Sequence, residues 1–219
     1  MKNFEIASLP VMETFFSIQG EGYHTGQSFY FIRLAGCDVG CHWCDVKESW
    51  DHNKHQFLAI DKIVKLVNKN YSQVIITGGE PLMWDLKKLT ADLKINNIKV
   101  HLETSGAYDL TGTYDWICLS PKKRKLPKKE IYKKANELKI IAYNKDDFKF
   151  ALQEEKKVND NCKLFIQPEW SKFDEIKKDV VKFVKENPKW SVSLQTCLLY
   201  TSDAADEGLG VDLGGRRII

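Results

Sequence analysis

Apolar residues recur at helical spacing in the stretch 60–70, where Ile60, Ile63, Val64 and Val67 would share one face, before the β-branched run Val74-Ile75-Ile76 leads into Gly78-Gly79. This predicts a helix followed by a buried strand. The alternation continues with a helix over 86–97, strands over 98–102 and 116–119, a helix over 129–138, a strand over 139–143, a short helix from Asp146 and a strand over 163–166. Ile176, Val180, Phe183 and Val184 then mark a helix before a strand over 190–194. Strands alternating with helices predict a parallel sheet covered by helices. A complete eightfold barrel takes about 250 residues. The pattern here spans 196 positions, so the expected α/β fold is a shortened, partly open parallel (β/α) barrel.

Polar segments follow the strands: Thr77-Gly78-Gly79-Glu80-Pro81, Glu103-Thr104-Ser105-Gly106, Ser120-Pro121-Lys122 and Gln167-Pro168. The carboxyl ends of parallel strands form a ligand rim, so these segments are expected to converge on a site. Length and composition fit one ordinary domain, with 219 residues, 43% of them hydrophobic and a net charge of +3. No apolar run approaches the roughly 20 residues of a membrane helix. The first 17 residues carry Glu5 and Glu13 and no long apolar segment, so they do not read as a secretory signal, and a cytoplasmic protein is expected. The small basic excess is scattered through lysine-rich helices, which gives no reason to expect a nucleic-acid partner.

Six cysteines change the picture, because Cys37, Cys41 and Cys44 fall within eight positions while Cys118, Cys162 and Cys197 stand alone. Thiolates so close repel one another unless a cation neutralises them, which points to a metal or redox site and not to a disulfide ladder. Cys37-Asp38-Val39-Gly40-Cys41-His42-Trp43-Cys44 has the spacing Cys-x3-Cys-x2-Cys. Three thiolates leave one iron of a four-iron cluster open to a small molecule, and Gly36 and Gly40 would let the backbone wrap it. The spacing alone also admits a zinc site completed by His42 or a remote cysteine, which would make the chain a zinc-binding structural module.

From Cys197 onward the lysine-rich pattern breaks, and Gly208, Gly210, Gly214 and Gly215 sit in no periodic frame. The letters resemble a translated sequencing-library adapter. The expected division is therefore a domain over 1–196 and a non-native tail over 197–219, with no role for Cys197.

The three-cysteine loop, with Trp43 before its last cysteine and a Gly-Gly-Glu-Pro strand end, resembles the radical S-adenosylmethionine superfamily. That resemblance implies a [4Fe–4S] cluster on Cys37, Cys41 and Cys44, whose open iron is chelated by S-adenosylmethionine to generate a 5′-deoxyadenosyl radical. Within the superfamily, Phe16-Ser17-Ile18-Gln19-Gly20-Glu21-Gly22, Phe31-Ile32-Arg33-Leu34-Ala35-Gly36-Cys37 and Cys44-Asp45 leading to Ser49-Trp50 are similar to the 7-carboxy-7-deazaguanine synthases. Their reaction turns 6-carboxy-5,6,7,8-tetrahydropterin into 7-carboxy-7-deazaguanine with loss of ammonia, in queuosine and 7-deazapurine biosynthesis. The resemblance implies substrate contacts from Ile18, Gln19, Gly20, Glu21, Arg33 and Thr77. A guanidinium suits the pterin carboxylate, and amide and carboxylate groups suit its donor and acceptor edge. It implies S-adenosylmethionine contacts from Trp43, Cys44, Asp45, Gly78, Gly79 and Glu80, and further ones from Ser105, Ser120, Pro121, Lys122, Gln167 and Pro168. A helix-capping role for Ser105 stands beside that one.

It also implies an electron donor such as flavodoxin or ferredoxin, a homodimer, and a magnesium ion ligated by a threonine after the Cys-Asp pair. Here Val46 occupies that position and has no donor atom, so Asp45, Ser49 or water would have to substitute. The family's His-Lys segment after Ser193-Leu194-Gln195-Thr196 is replaced by the adapter-like tail. A glycyl-radical activating enzyme shares the cysteine loop and is the alternative enzyme class, although the 19–22 motif suits a small heterocycle better than a protein loop.

Overall fold

The computed structural model describes residues 7–67 and 71–198, and its strands form one nine-stranded sheet. In chain order these are β1 (Ser8–Ile18), β2 (Ser28–Leu34), β3 (Gln56–Ala59), β4 (Gln73–Gly78), β5 (Lys99–Thr104), β6 (Trp116–Leu119), β7 (Glu137–Ala142), β8 (Lys163–Pro168) and β9 (Trp190–Val192). The helices are α1 (Ile60–Val67), α2 (Lys87–Ile95), α3 (Lys129–Lys134), α4 (Asp146–Glu155) and α5 (Phe173–Glu186). The spatial order β3-β1-β2-β4-β5-β6-β7-β8-β9 leaves β3 and β9 as unpaired edges, so the sheet is not closed. From β2 to β9 every pairing is parallel, as the alternation of strands and helices predicts.

Two differences from the sequence reading matter. The hydrophobic periodicity singled out no strand before residue 74, yet β1, β2 and β3 are present, and β1 pairs antiparallel with both β2 and β3. The helix expected over 129–138 stops at Lys134. There Ala135 turns extended, Asn136 accepts a hydrogen bond from the Ile117 amide at 2.9 Å, and residues 137–138 pair with Cys118 and Leu119. The ladder overrides the local helical preference of this lysine-rich stretch.

Period-two alternation divides each inner strand between two environments. Leu34, Ile76, Leu102, Leu119, Ile140 and Ile166 turn toward the helices and join the main apolar core with Ile63, Leu89, Ile131, Phe150 and Val180. The residues between them face the concave side. Phe29, Phe31 and Ile75 form a separate small cluster there, with Phe15 stacked on Phe31 at 5.0 Å between ring centres. Around it lie His24, His101, Tyr23 and Trp116 in mutual ring contact. Burial, reinforced by the adjacent His24, pushes His101 down to about 4, so its ring is uncharged at neutral pH.

Candidate active site

Two residues further along each strand, the concave positions become polar: Arg33 on β2, Thr77 on β4, Glu103 on β5, Cys118 on β6, Lys139 on β7 and Gln167 on β8 line a single cavity of about 500 Å³. Register sets this layer, with Arg33 paired to Thr77 and Glu103 to Cys118 across the ladder. Glu103 is its hub, accepting hydrogen bonds from Gln19 Nε2 at 2.7 Å and Thr77 Oγ1 at 2.9 Å. Lys139 is buried and donates through Nζ to Glu21. Burial would raise the Glu21 carboxyl, but the charge and hydrogen bond of Lys139 outweigh it and hold Glu21 below its ordinary value. Burial alone would lower the ammonium of Lys139, yet Glu21, with Cys118, Glu103 and Glu137 behind it, keeps that group well above its usual range. Glu137 has its carboxyl raised by burial while accepting from Trp116 Nε1 at 3.1 Å.

The cysteine loop closes the other end of the cavity, which Cys37, Cys41 and Cys44 all line. Backbone bonds lash it down: Gly36 N to Ser49 O at 2.6 Å, Cys37 N to Trp50 O at 3.2 Å, and Glu80 N to Gly36 O at 2.8 Å. Trp50 Nε1 donates to Cys44 Sγ at 3.4 Å. Outside, Arg124 donates to the Gly40 carbonyl at 2.7 Å and Lys125 to Asp38. Trp43 stacks on Tyr143 at 5.7 Å, while His42 packs edge-on against both rings and lies outside the cavity lining.

Gly78 and Gly79 let the β4 end approach this loop. Gly78 has φ of +135°, and a Cβ there would overlap the Leu34 backbone; at Gly79 one would lie 2.5 Å from the Gly36 carbonyl oxygen. We therefore expect Gly79→Ala to push the cysteine loop outward, with loss of iron from reconstituted protein and a destabilisation of about 1–3 kcal/mol. Iron-to-protein ratio and chemical denaturation read the two effects.

Most of the residues singled out in the sequence line this cavity: Gln19, Gly20, Glu21, Arg33, Trp43, Asp45, Thr77, Gly78, Gly79, Ser105, Ser120, Lys122 and Gln167 join the three cysteines. Four do not. Ile18 is 55% exposed at the end of β1. Pro121 and Pro168 are buried outside the lining. Glu80, at 1% exposure, faces inward, where its carboxylate accepts from Leu82 N at 3.0 Å, Ser105 N at 2.8 Å, and the hydroxyls of Thr104 and Ser105. There it braces the turn that presents Ser105. Ser49 likewise donates its hydroxyl to the Val46 carbonyl at 2.6 Å.

Conversely, Cys197, expected to be inert, lines the cavity with Leu198, and Thr196 donates to the Gly20 carbonyl. The rest of the expected tail, 199–219, lies outside the described residues. The sequence reading also passed over Lys139, Cys118 and Glu103 as individual site residues. Their signal was available as a charged or thiol side chain in the inward phase of an otherwise apolar strand.

A single zinc ion holds its sulfur ligands at about 2.3 Å, which demands tightly converging donors. Among the described residues no three His, Cys, Asp or Glu side chains converge in that way. Burial pushes Cys37 and Cys41 up, so these sulfurs need neighbouring positive charge to act as thiolates.

Known proteins agree. The pattern of the Radical SAM superfamily matches residues 31–117. A 7-carboxy-7-deazaguanine synthase from Flavobacterium psychrophilum is 58% identical over 188 residues, covering 86% of this chain and 90% of the relative. The chain belongs to the 7-carboxy-7-deazaguanine synthase family. A second 7-carboxy-7-deazaguanine synthase, from a Synechocystis species, is 46% identical over 86% of this chain and 91% of its own length. The crystal structure of QueE from Escherichia coli superposes with a TM-score of 0.77 at 27% identity, covering 85% of this chain and 93% of that one. Members of this family are radical S-adenosylmethionine lyases that carry a [4Fe–4S] cluster, and the loop of three thiols beside an open cavity fits that cofactor pair.

Proposed function

We propose that this chain converts 6-carboxy-5,6,7,8-tetrahydropterin into 7-carboxy-7-deazaguanine with release of ammonia, in queuosine and 7-deazapurine biosynthesis. One observation carries this reading: a polar layer able to grip a heterocycle by opposite ends shares a cavity with three thiols. The Glu103 carboxylate, already anchored by Gln19 and Thr77, keeps lone pairs to accept from the amino and ring N–H groups of a pterin. Arg33 would hold the substrate carboxylate, and Lys139 with Glu21 the remaining polar edge. Cys37, Cys41 and Cys44 would hold the cluster. Trp43, Asp45, Gly78, Gly79, Ser105, Ser120, Lys122 and Gln167 would surround S-adenosylmethionine. When bound, these two cofactors supply the one-electron chemistry that removes a hydrogen atom from the substrate.

The side chains orient and enclose. Ser193 Oγ accepts from Gly22 N at 2.9 Å and donates to Gln167 Oε1 at 2.6 Å, while Gln195 Nε2 reaches Asp45 Oδ2 at 3.3 Å. The segment after β9 thereby ties the pterin side of the cavity to the S-adenosylmethionine side and helps exclude water from a radical. A magnesium ion in this site would take Asp45 and water, since the Val46 side chain has no donor atom and Ser49 is buried outside the cavity lining.

The reading extends to a flavodoxin- or ferredoxin-like electron donor, a homodimer, a cytoplasmic location, and a catalytic domain over 1–196 with 197–219 appended. Among the described residues no helix is long and apolar enough to cross a membrane.

The decisive experiment is anaerobic reconstitution followed by incubation with reductant, S-adenosylmethionine and the carboxypterin. Formation of the deazapurine and ammonia is expected. Formation of 5′-deoxyadenosine with no deazapurine would overturn the substrate while leaving the radical chemistry in place.

A further inference from the structure

β1 carries an irregularity whose effect falls on the substrate cavity. Its pairing with β2 runs Val11 to Leu34 and then Glu13 to Arg33, so Met12 is an extra residue in a bulge. Residues two apart on a regular strand share a face, and a single inserted residue reverses the phase. Val11 and Leu34 both belong to the core beneath the helices. Without the bulge Glu13 would follow Val11 onto that apolar face; with it, Glu13 stands beside Arg33 on the concave face, just ahead of the stacked pair Phe15 and Phe31.

The contact that results is specific. Glu13 Oε1 accepts from Arg33 Nε at 2.8 Å, with the two side chains 19% and 8% exposed. The guanidinium carbon also lies 5.8 Å from the Phe15 ring centre. The terminal nitrogens of Arg33 make no hydrogen bond among the described residues, and Arg33 lines the cavity while Glu13 does not. A guanidinium gripped at Nε from behind presents its remaining N–H groups as a fork of fixed orientation, the geometry that a carboxylate accepts bidentately. The same cavity holds four carboxylates of its own, Glu21, Asp45, Glu103 and Glu169, and an unrestrained arginine could turn to the pair on the pterin side, Glu21 and Glu103.

We infer that Glu13 is a positioning residue for substrate recognition: placed by the Met12 bulge, it holds Arg33 away from Glu21 and Glu103 and aims its terminal nitrogens at the carboxylate of the incoming pterin. The inference rests on the proposed role of Arg33 as the carboxylate-binding group.

The test compares Glu13→Ala, Glu13→Gln and Arg33→Gln in the reconstituted enzyme. Two pterins serve as probes, the 6-carboxylated substrate and tetrahydropterin lacking the carboxylate, with S-adenosylmethionine binding as the check on folding. Loss of an oriented charge-assisted contact corresponds to roughly 10- to 100-fold in affinity. Glu13→Ala is therefore expected to raise KM for the carboxypterin by that factor with a smaller change in kcat, and to leave the Kd of tetrahydropterin unchanged. Glu13→Gln keeps an oxygen acceptor for Nε and is expected to restore most of the loss. If Glu13→Ala leaves carboxypterin binding within about twofold while Arg33→Gln weakens it, the positioning role falls and the carboxylate role of Arg33 survives. Equal weakening for both pterins in Glu13→Ala also overturns the positioning role. If Arg33→Gln itself leaves carboxypterin affinity intact, the reading beneath the inference is the one that fails.

Discussion

Alanine at Cys37, Cys41 or Cys44 is expected to lower deazapurine formation by at least roughly a thousandfold, and each substitution by itself suffices. All three sulfurs border one cavity on a loop tied down by backbone bonds to residues 49, 50 and 80. His42 packs on aromatic rings outside the lining, and the two further cysteines that line the cavity, Cys118 on β6 and Cys197 after β9, do not belong to this loop. Cys162 provides the contrast, since it is buried in the core and its thiol is pushed up to about 12, chiefly by burial. Cys162→Ala should keep its iron and its activity. Iron and sulfide content after anaerobic reconstitution, read beside product formation, checks both halves. Full turnover in any of the three loop variants would end the radical reading of this site.

Lys139→Met should produce the largest stability effect of any single change in the cavity. The ammonium is buried on the inner face of β7 and faces Glu21, with Glu103 and Glu137 close behind. Removing it strands buried carboxylate charge, a loss of about 3–5 kcal/mol for a broken buried pair. The pH dependence follows from the direction of each shift. The folded-state pKa of Glu21 is lowered, so its contribution is present above the unfolded carboxylate value of about 4.3 and is lost as pH falls through the lower folded value. That of Lys139 is raised, so its contribution is present below the unfolded lysine value of about 10.4 and is lost only as pH rises through the higher folded value. The gap between parent and variant is therefore expected to be wide at pH 7 and to narrow as pH falls, first as Glu21, raised by burial once Lys139 is gone, protonates in the variant, and fully only below the lowered folded value of the parent. Urea denaturation at pH 7, 5 and 3 measures it, and a gap that stays constant across that range would remove Lys139 and Glu21 as a charged pair. Pterin affinity at pH 8 should fall with the stability.

Helices and parallel strands after residue 60 were legible in the chain because their apolar residues repeat at 3.6 or 2 positions, as in Ile60-Ile63-Val64-Val67 and Val74-Ile75-Ile76. β1 and β2 left a weaker mark: Phe29, Phe31 and Phe15 face a concave plug while Tyr30 and Ile32 face the helices, so both faces are apolar and the alternation disappears. The end of α3 was misjudged for a related reason, since only the pairing of residues 137–138 with β6 stops a sequence that favours helix.

The same division holds for the site. The spacing of Cys37, Cys41 and Cys44, and the glycines at 78 and 79, are local features, and local order alone tells which chemistry they serve. Which side chains meet the substrate is a different kind of fact. Glu103, Cys118 and Lys139 come from three strands and share a layer only because the ladder aligns them. That the Glu80 carboxylate meets the Leu82 amide and the groups of Thr104 and Ser105 is likewise visible only in the fold. Glu13 reaches Arg33 only because one bulged residue turns it to the concave face. Sequence by itself determined the cofactor class and the alternation of elements, since both are written in short-range spacing. Tertiary structure decided which polar groups face the substrate, because burial, strand register and hydrogen-bond competition exist only once distant strands lie side by side.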